Sequence, residues 1–435
     1  MLDTKNVKKN IGLNILIQPV AMLLSMIYVP VALNYLGNER YGVWTTILSF
    51  VSWFSLCDLG ISNGFKNELS VSIAKNDEKR SKELVSTTYV VISIIVAICI
   101  IIYTIIAIKI NVAGLLNISV NGDNVNLALW ICVAFVCINF ALGIVNTVLY
   151  SLQKAAYTSI CGVIIQGLNI IFVLFAGEML DKSLVIAAVM LNVSTTIVLL
   201  ITSIIIYRKK IYLRPEVNYF RKKEVKQIVG VGIALFLGQI GSQIMNATDN
   251  ILISKVYGAT DVTPYSIAYK LFNVFIDVQG VIIIMPLWPA YTVAKTENNI
   301  VWIKSTLKKG NFFVAILSVG VIIFAMAISP ITRIWLGENL SLDKSMVFFM
   351  AVYTIVYLFE RNYCSFLCGA GILKEYTILS TVGVIINIPC SVFFTVYLKM
   401  GLTGIILGTL VSILPGVLVY PYVAKKTLAR MKKNI

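Results

Sequence analysis

The sequence predicts an all-α polytopic membrane protein with twelve transmembrane helices in two parallel six-helix lobes. Of the 435 residues, 58% are hydrophobic and only 13% are charged, and the mean hydropathy is +0.88. This composition lies outside the range of soluble globular domains. A transmembrane helix needs ~20 apolar residues. Twelve runs of this kind cover residues 12–35, 42–64, 85–108, 126–149, 156–177, 183–206, 228–253, 264–288, 311–334, 346–368, 375–398 and 401–423.

Ordered matches between the two halves of the chain indicate an internal duplication. Each match alone is at chance level, but together they keep nearly the same offset, close to half the chain length. They include Gln18 with Gln239, Ser25 with Asn246, Gly37 with Gly258, Gly60 with Gly280, and Asn169 with Asn387. Because six spans is an even number, both copies start on the same side of the membrane and form parallel repeats.

The predicted domains follow from this duplication. They are an amino-terminal six-helix lobe of residues 1–206, a basic cytoplasmic linker of residues 207–227 and a carboxy-terminal six-helix lobe of residues 228–435. In parallel repeats the substrate cavity is expected between the lobes. The linker is expected to be a solvated connector.

The distribution of Lys and Arg predicts that both termini are cytoplasmic. The net charge is +16, and 27 of the 36 Lys and Arg residues fall in the termini and alternate loops, against 7 in the opposite loops. By the positive-inside rule the richer side is the cytoplasmic side. This pattern encodes orientation and contact with anionic membrane lipids, so no nucleic-acid partner is expected. The first apolar run is too long for the h-region of a cleaved signal peptide.

Several classes of chemistry are excluded or disfavoured by composition. The chain has no histidine, and all eight cysteines fall in the predicted spans, which favours packing over disulfides or metal binding. There is no P-loop motif and no sizeable soluble domain, so ATP is not the direct energy source within this chain. We expect no catalytic site, no metal and no cofactor, and therefore not an enzyme.

The candidate functional stretch is the hairpin from Val229 to Pro289, which carries two polar stripes. Each stripe repeats at i, i+4, i+7 and i+11, so its members share one helical face. The first stripe is Gln239, Gln243, Asn246 and Asn250, with Asp249 beside it. The second is Ser266, Lys270, Asn273 and Asp277, with Tyr265 and Tyr269 beside it. A charged residue at the centre of a membrane helix costs ~2.5–3.5 kcal/mol on insertion scales, so these stripes predict a hydrated pathway.

A structural alternative stays open for the same residues. Lys270 would then pair with Asp249 or Asp277, and the amides would join helices by hydrogen bonds. In the first span Gln18 is a further candidate for the pathway. Candidates for ion coupling or gating are Asp249, Asp277, Asp58, Glu360 and Arg361. Because histidine is absent, a proton carrier among them must be a carboxylate. Alternatively, Asp58 caps or pairs locally at the end of the second span. Arg361 alternatively pairs with a carboxylate.

Several motifs resemble those of one transporter family. They are Leu36-Gly37-Asn38-Glu39-Arg40-Tyr41-Gly42-Val43-Trp44, Asp58-Leu59-Gly60, Asn246 to Asp249, Gly258, and Tyr265 to Lys270. Together with the twelve-span layout they resemble the Wzx-type O-antigen and polysaccharide-unit flippases of the multidrug, oligosaccharidyl-lipid and polysaccharide (MOP) exporter superfamily. Peptidoglycan-precursor flippases carry arginines in span one and have two extra spans. This sequence has neither feature, so that subgroup is not expected.

The resemblance implies a protein of the bacterial inner membrane that moves undecaprenyl-pyrophosphate-linked oligosaccharide from the cytoplasmic to the periplasmic leaflet by alternating access. Lys270 matches a position where family members often carry a basic residue, which suits an anionic pyrophosphate-sugar headgroup. A polysaccharide polymerase and a chain-length regulator are the implied protein partners.

Three other functions stay open at this point. A multidrug antiporter of the same superfamily would share the fold, but it is expected to have an acidic cavity, which Lys270 disfavours. A major-facilitator sugar transporter also has parallel six-span lobes, although its basic loop signature is not evident in residues 66–84. An assembled channel or a structural membrane protein fits the asymmetric charge of the two halves less well.

Overall fold

The computed structural model describes residues 4–433 apart from residues 59, 119, 121, 153, 180, 285, 286, 288, 289, 292, 293, 296 and 337–341. Within this range the side chains of residues 4–12, 14, 15, 55, 74, 155, 178, 230–246, 282, 373 and 433 are outside the description. Every regular element of the described part is helical. The chain forms two compact units, of which unit 1 is residues 1–247 and 257–260 and unit 2 is residues 248–256 and 261–435.

Among the described residues, eight α-helices lie wholly in unit 1, and a ninth begins there. They are α1 (Thr4–Ser52), α2 (Ile61–Ala74), α3 (Glu78–Lys109), α4 (Val112–Leu115), α5 (Val125–Leu142), α6 (Ile144–Ser151), α7 (Ala155–Met179), α8 (Leu184–Lys209) and α9 (Lys222–Tyr257). Short 3-10 helices cover Trp53–Asp58, Ile211–Leu213 and Val217–Tyr219. Within the unit, α1 packs on α7, and α5 packs on α3 and α8.

The described helices of unit 2 continue the pattern. They are α10 (Ala259–Gln279), whose first residues belong to unit 1, α11 (Ile300–Met326), α12 (Ile328–Leu336), α13 (Lys344–Gly369), α14 (Leu373–Val392) and α15 (Leu402–Lys433). Single π-helical turns follow α10 at Gly280–Ile284 and α14 at Phe393–Tyr397. Within the unit, α15 packs against both α13 and α14, and α11 packs against α13.

The long helix α1 covers the first predicted span and the first part of the second. Its two arms meet at Gly37, where φ is 74° and ψ is 169°, so the helix is interrupted there. Glycine adopts this conformation without the steric cost of a Cβ atom. The second arm continues into the 3-10 helix Trp53–Asp58, and the separate helix α2 then starts at Ile61. The second span therefore ends near Asp58, earlier than residue 64.

The predicted fold class is confirmed. Each of the twelve predicted spans coincides with described helical residues. Eight helical segments of the described residues are long and apolar enough to cross a membrane, and one of these, Leu16–Asp58, contains both arms of α1. The more polar spans lie in α9, α10 and α13. The chain is thus a multi-pass membrane protein, and the helices are consistent with the count of twelve.

Contacts at the helix ends support alternating crossings in unit 1. Asp123 joins three predicted loops of one side: its carboxylate accepts from Arg40 Nε at 2.5 Å and from the Leu184 amide at 3.1 Å. Loops predicted on the other side meet where Arg80 donates to Glu68 at 2.5 Å and to Gln227 at 2.9 Å. Loops that the charge pattern assigns to one side therefore gather at one end of the unit.

Unit 2 shows the same grouping of loops. Ser345 and Thr403 share a hydroxyl hydrogen bond of 2.7 Å at one end, and Lys295 Nζ donates to the Ala370 carbonyl at 2.5 Å at the other. Each unit also contains an equivalent internal hydrogen bond between two of its own helices. Ser194 donates to Asn169 at 2.5 Å between α8 and α7, and Asn387 donates to Ser412 at 3.5 Å between α14 and α15. Both residues of the second pair lie 218 positions after those of the first, which supports the duplication.

The linker of residues 207–227 is docked against unit 1, unlike the solvated connector expected from its charge. The Leu213 side chain is fully buried. The amides of Glu216 and Arg221 donate to Ser86 Oγ at 3.0 Å and Thr87 Oγ1 at 2.9 Å in α3. The sequence-based expectation weighed only the positive charges of the linker. Its carboxylates and amides find partners at the start of α3, and these fix its path.

Candidate functional site

The sequence-predicted polar residues of α10 lie in unit 2, on one helix whose single basic residue is Lys270. Lys270 and Asn273 are half-buried, whereas Asp277 is exposed. Asn273 lines a narrow crevice between α10 and α13 with Tyr269, Phe272, Ile276, Met350, Tyr353 and Thr354. Its empty space of about 170 Å³ is below the ~300–1,000 Å³ of ordinary ligand pockets. A ligand of ordinary size would therefore enter only if α10 and α13 moved apart.

Four tyrosines form a continuous stack along this crevice. Tyr265 and Tyr269 are one turn apart on α10 with ring centroids 6.2 Å apart, and Tyr269 stacks on Tyr353 of α13 at 6.3 Å. Tyr353 in turn stacks on Tyr357 at 5.6 Å. The Tyr269 and Tyr353 phenol groups also interact with each other electrostatically. The stack presents aromatic faces and phenol groups, which suit sugar C–H surfaces and hydroxyls.

A buried polar cluster surrounds Asp249 at one end of the stack. The Tyr265 hydroxyl donates to Asp249 Oδ2 at 2.5 Å, and Thr409 Oγ1 donates to the same oxygen at 3.4 Å. Asn387 Nδ2 donates to Thr409 at 3.2 Å. Four helices, α9, α10, α14 and α15, supply these side chains, and each side chain is less than 10% exposed.

Two acceptor atoms of this cluster lack a donor in the described structure. They are Asp249 Oδ1 and Asn387 Oδ1, both fully buried. A buried acceptor without a donor costs ~1–3 kcal/mol, and more if it is charged. A water molecule, a proton on the carboxylate or a small cation would satisfy these two acceptors.

The opposite end of the stack carries the charged pair Glu360 and Arg361. Arg361 lies over the Tyr357 ring at 5.6 Å and donates to the Ile276 carbonyl at 3.1 Å. That carbonyl is in the turn of α10 that precedes the π-helical turn Gly280–Ile284, where the regular helix hydrogen bonding changes register. In the other direction, Gln279 Nε2 of α10 donates a hydrogen bond to the Leu358 carbonyl of α13 at 2.6 Å. Arg361 therefore fixes α13 to a distorted turn of α10.

The remaining candidates have separate surroundings. Glu360 packs against Gly416 of α15, where a Cβ atom would stand 2.8 Å from its Oε1. Asp58 is buried and accepts the Ser62 amide at 2.8 Å, so it caps the start of α2. Gln18 is half-buried in α1, and Asn250 is half-buried in α9. Gln239, Gln243 and Asn246 have side chains outside the described residues.

Sequence reasoning missed Tyr353, Tyr357 and Thr409. Tyr353, Tyr357 and Arg361 recur at i, i+4 and i+8 on α13, so the same search for polar stripes that found α10 also finds them. The sequence marks Asn387 by its internal match but not as the donor to Thr409 in this cluster. Nothing in the sequence marks Thr409, because a single threonine in an apolar span carries no pattern.

Comparison with known proteins places this architecture among polysaccharide transporters. Residues 7–292 match the family model described as polysaccharide biosynthesis protein. The chain is 21% identical over 423 residues, 95% of each sequence, to a Yersinia pseudotuberculosis protein named for a proposed role in O-antigen export. Two solved structures of multidrug resistance MATE transporters of the MOP superfamily share its fold. The inward-facing one has a TM-score of 0.74 at 15% identity and covers 96% of both chains. The outward-facing one has a TM-score of 0.66 at 16% identity and covers 99% of this chain and 97% of its own.

Proposed function

The chain belongs to the polysaccharide biosynthesis protein family, and from this premise we propose that it is a flippase for undecaprenyl-pyrophosphate-linked oligosaccharide. The substrate headgroup would pass from the cytoplasmic to the periplasmic leaflet by alternating access, with no covalent step. The observation that carries the proposal is the face of α10. It places a cation, an amide and stacked tyrosines at membrane depth, where a polar substrate would give them a role.

Each part of this face has a role in the proposed cycle. Lys270 attracts the pyrophosphate, since an ammonium group makes charge-assisted hydrogen bonds with phosphate oxygens. Asn273 and Thr354 offer hydrogen bonds to sugar hydroxyls, and Tyr269 and Tyr353 offer ring faces. The crevice is too small for a disaccharide in the described conformation. Opening it requires breaking the Arg361 and Gln279 bonds between α10 and α13, so these two residues act as a latch.

Asp249 is the proposed coupling group. Its second oxygen and that of Asn387 lack donors, so binding of a proton or a monovalent cation there would satisfy the cluster. The Tyr265 hydroxyl joins this carboxylate directly to the tyrosine stack. Loading of Asp249 would therefore change the packing of the helix that carries Lys270. Asp277 is exposed and is assigned no coupling role.

The cellular setting completes the proposal. We place the protein in the bacterial inner membrane with both termini cytoplasmic, in keeping with the excess of Lys and Arg in the loops of that side. A polysaccharide polymerase and a chain-length regulator would use the translocated unit.

Gene deletion tests the main proposal. The deletion strain should lose surface polysaccharide and accumulate lipid-linked oligosaccharide on the cytoplasmic side, and the parent gene should restore export. If the deletion strain instead keeps its polysaccharide and becomes sensitive to cationic drugs, the second candidate is favoured. That candidate, a multidrug antiporter, is supported by the MATE fold, while the cation Lys270 disfavours it.

A further inference from the structure

The linker of residues 207–227 presents an outer face that its contacts with unit 1 leave free. Its inner face is defined by the buried Leu213 and by the bonds to Ser86 and Thr87. Three large apolar side chains of the linker are exposed, and the exposed side chains of the linker are what we call its outer face. Ile211 is 69% exposed, Val217 is 77% exposed and Phe220 is 37% exposed. Exposed aliphatic groups in an aqueous loop lose favourable burial, so this face indicates a partner.

The acidic residues of the linker are paired with α3, whereas most of its basic residues are not. The exposed Glu216 pairs with Lys82 at 2.7 Å, and the buried Glu224 lies 3.5 Å from Arg80. Arg221 pairs with Glu83 of α3 at 3.3 Å. The outward basic residues are Arg208, Lys209, Arg214, Lys222, Lys223 and Lys226, all exposed. Among the described residues none of these six pairs with a carboxylate. The outer face is therefore cationic and apolar.

The position of the linker identifies the partner. It leaves the membrane helix α8 at Lys209 and rejoins α9 at Lys222. It binds Ser86 and Thr87, which begin the predicted third span. The linker thus runs along the membrane boundary and not out in the cytoplasm. Basic residues interspersed with exposed apolar groups at this depth are typical of segments that lie in the interface of a leaflet with anionic lipids.

We propose that the outer face of the linker binds the headgroups of anionic phospholipids, with Ile211 and Val217 inserted among the upper acyl chains. The ion pairs with Arg80, Lys82 and Glu83 hold this face in position. Little conformational entropy is then lost on binding. This site is independent of the transport proposal, because it depends only on the membrane location and on the contacts of the linker in unit 1.

A tryptophan probe on the linker tests the proposal in the full-length protein. Val217→Trp replaces an exposed side chain, and the parent, with its six native tryptophans, supplies the background. The variant is reconstituted with phosphatidylglycerol or phosphatidylcholine that carries bromine on the upper acyl chain. We expect strong quenching of the new tryptophan by brominated phosphatidylglycerol and at least tenfold weaker apparent affinity for brominated phosphatidylcholine. Raising the salt from 0.1 to 1 M should remove the preference, since the screening length falls from ~10 to ~3 Å.

Charge removal on each side of the membrane completes the test. In the Val217→Trp background, Lys209→Gln, Lys222→Gln and Lys223→Gln together should weaken the phosphatidylglycerol affinity by roughly 100-fold, at roughly fivefold per charge. The control, Lys255→Gln, Lys344→Gln and Lys399→Gln, makes the same charge change in loops of the opposite side and should leave the affinity unchanged. Three outcomes overturn the proposal: no quenching by either lipid, equal quenching by both lipids at low salt, or an equal loss in the control.

Discussion

At the scale of single residues, Lys270 is the clearest test of the proposed substrate pathway. It is the only cation of α10, and it lies one residue from the stacked Tyr269. The alternative that it only joins helices required a partner in Asp249 or Asp277. Asp249 accepts hydrogen bonds from the hydroxyl groups of Tyr265 and Thr409. Asp277 is exposed and interacts electrostatically with Arg361. Substitution of Lys270 therefore separates the pathway role from the alternative in which it only joins helices.

We expect Lys270→Ala to reduce export of surface polysaccharide by at least tenfold, while Lys270→Arg keeps a measurable part of it. A hydrogen bond to a charged group contributes ~1.5–3 kcal/mol, which is about 10- to 100-fold in rate if it is made during translocation. The measurement is polysaccharide chain length and amount in a complemented deletion strain, with protein quantified in the membrane. Full export by Lys270→Ala at normal abundance would contradict the electrostatic role.

The pair Asp249 and Tyr265 allows an independent test of the buried cluster. Tyr265→Phe removes the 2.5 Å donor and leaves the buried carboxylate with Thr409 at 3.4 Å. We expect it to lower stability by ~1–3 kcal/mol. The double variant with Asp249→Asn should be more stable than the sum of the two single effects predicts, because the amide no longer needs the phenol. Thermal unfolding of the four proteins in one detergent measures this coupling. Strict additivity would show that the two side chains act separately.

At the scale of helices, close packing between α14 and α15 holds the cluster together. Small residues recur every fourth position on both helices: Gly383, Asn387, Ser391 and Thr395 on α14 and the π-helical turn after it, and Gly404, Gly408, Ser412 and Gly416 on α15. Such stripes let membrane helices approach closely. Asn387 and Thr409 can therefore meet only because their neighbours are small.

A matched pair of glycine substitutions tests this packing. A Cβ atom at Gly404 would stand 2.7 Å from the Thr395 amide nitrogen, whereas one at Gly162 in α7 meets nothing within 4 Å. We expect Gly404→Ala to destabilise the protein by ~1–3 kcal/mol through overpacking. Gly162→Ala should be neutral or stabilising by up to ~1 kcal/mol, since alanine favours a helix over glycine. The two melting temperatures decide the matter, and a similar shift in both variants would contradict the close approach.

Sequence patterns predicted the polar faces of single helices and missed the contacts that form between two helices. The period of α10 gave Lys270, Asn273 and Tyr269, because a helical face is a property of its own sequence. The stacking of Tyr269 on Tyr353 joins two helices 84 positions apart, and no periodicity encodes which faces meet. For the same reason the charge count of the linker gave its side of the membrane but not its docking on α3.

At the scale of the whole molecule, the alternation of loops predicts topology. Loops of one predicted side meet at Asp123 and those of the other meet at Arg80, so an error in the count of the first six spans would separate these contacts. We expect a carboxy-terminal alkaline phosphatase fusion to be inactive and a fusion after Lys182 to be active. An active carboxy-terminal fusion would mean either that the number of crossings is odd or that the orientation is reversed.

The sequence alone made Asp249 and Asp277 equal candidates for ion coupling, and the structure distinguishes their surroundings. Asp249 lies in the buried cluster with a free carboxylate oxygen, whereas Asp277, on the adjacent helix, is exposed. Both substitutions to asparagine remove one negative charge at nearly constant shape. A group that must exchange a proton or cation in each cycle loses this ability as an amide. Asp277→Asn removes one charge beside Arg361 and leaves the buried cluster around Asp249 unchanged.

We therefore expect Asp249→Asn to abolish gradient-dependent flipping of a labelled lipid-linked oligosaccharide in proteoliposomes and Asp277→Asn to keep most of it. The rate is measured with an inward or outward pH gradient, with a sodium gradient and with neither, so that the coupling ion is identified in the same experiment. Asp249→Asn should also flip at one low rate under all conditions, because removal of the exchangeable carboxylate uncouples the cycle from the ion. If the parent rate is independent of both gradients, and Asp249→Asn matches the parent, the buried cluster has only a structural role. If Asp277→Asn alone loses the response, coupling belongs to the exposed carboxylate beside Arg361.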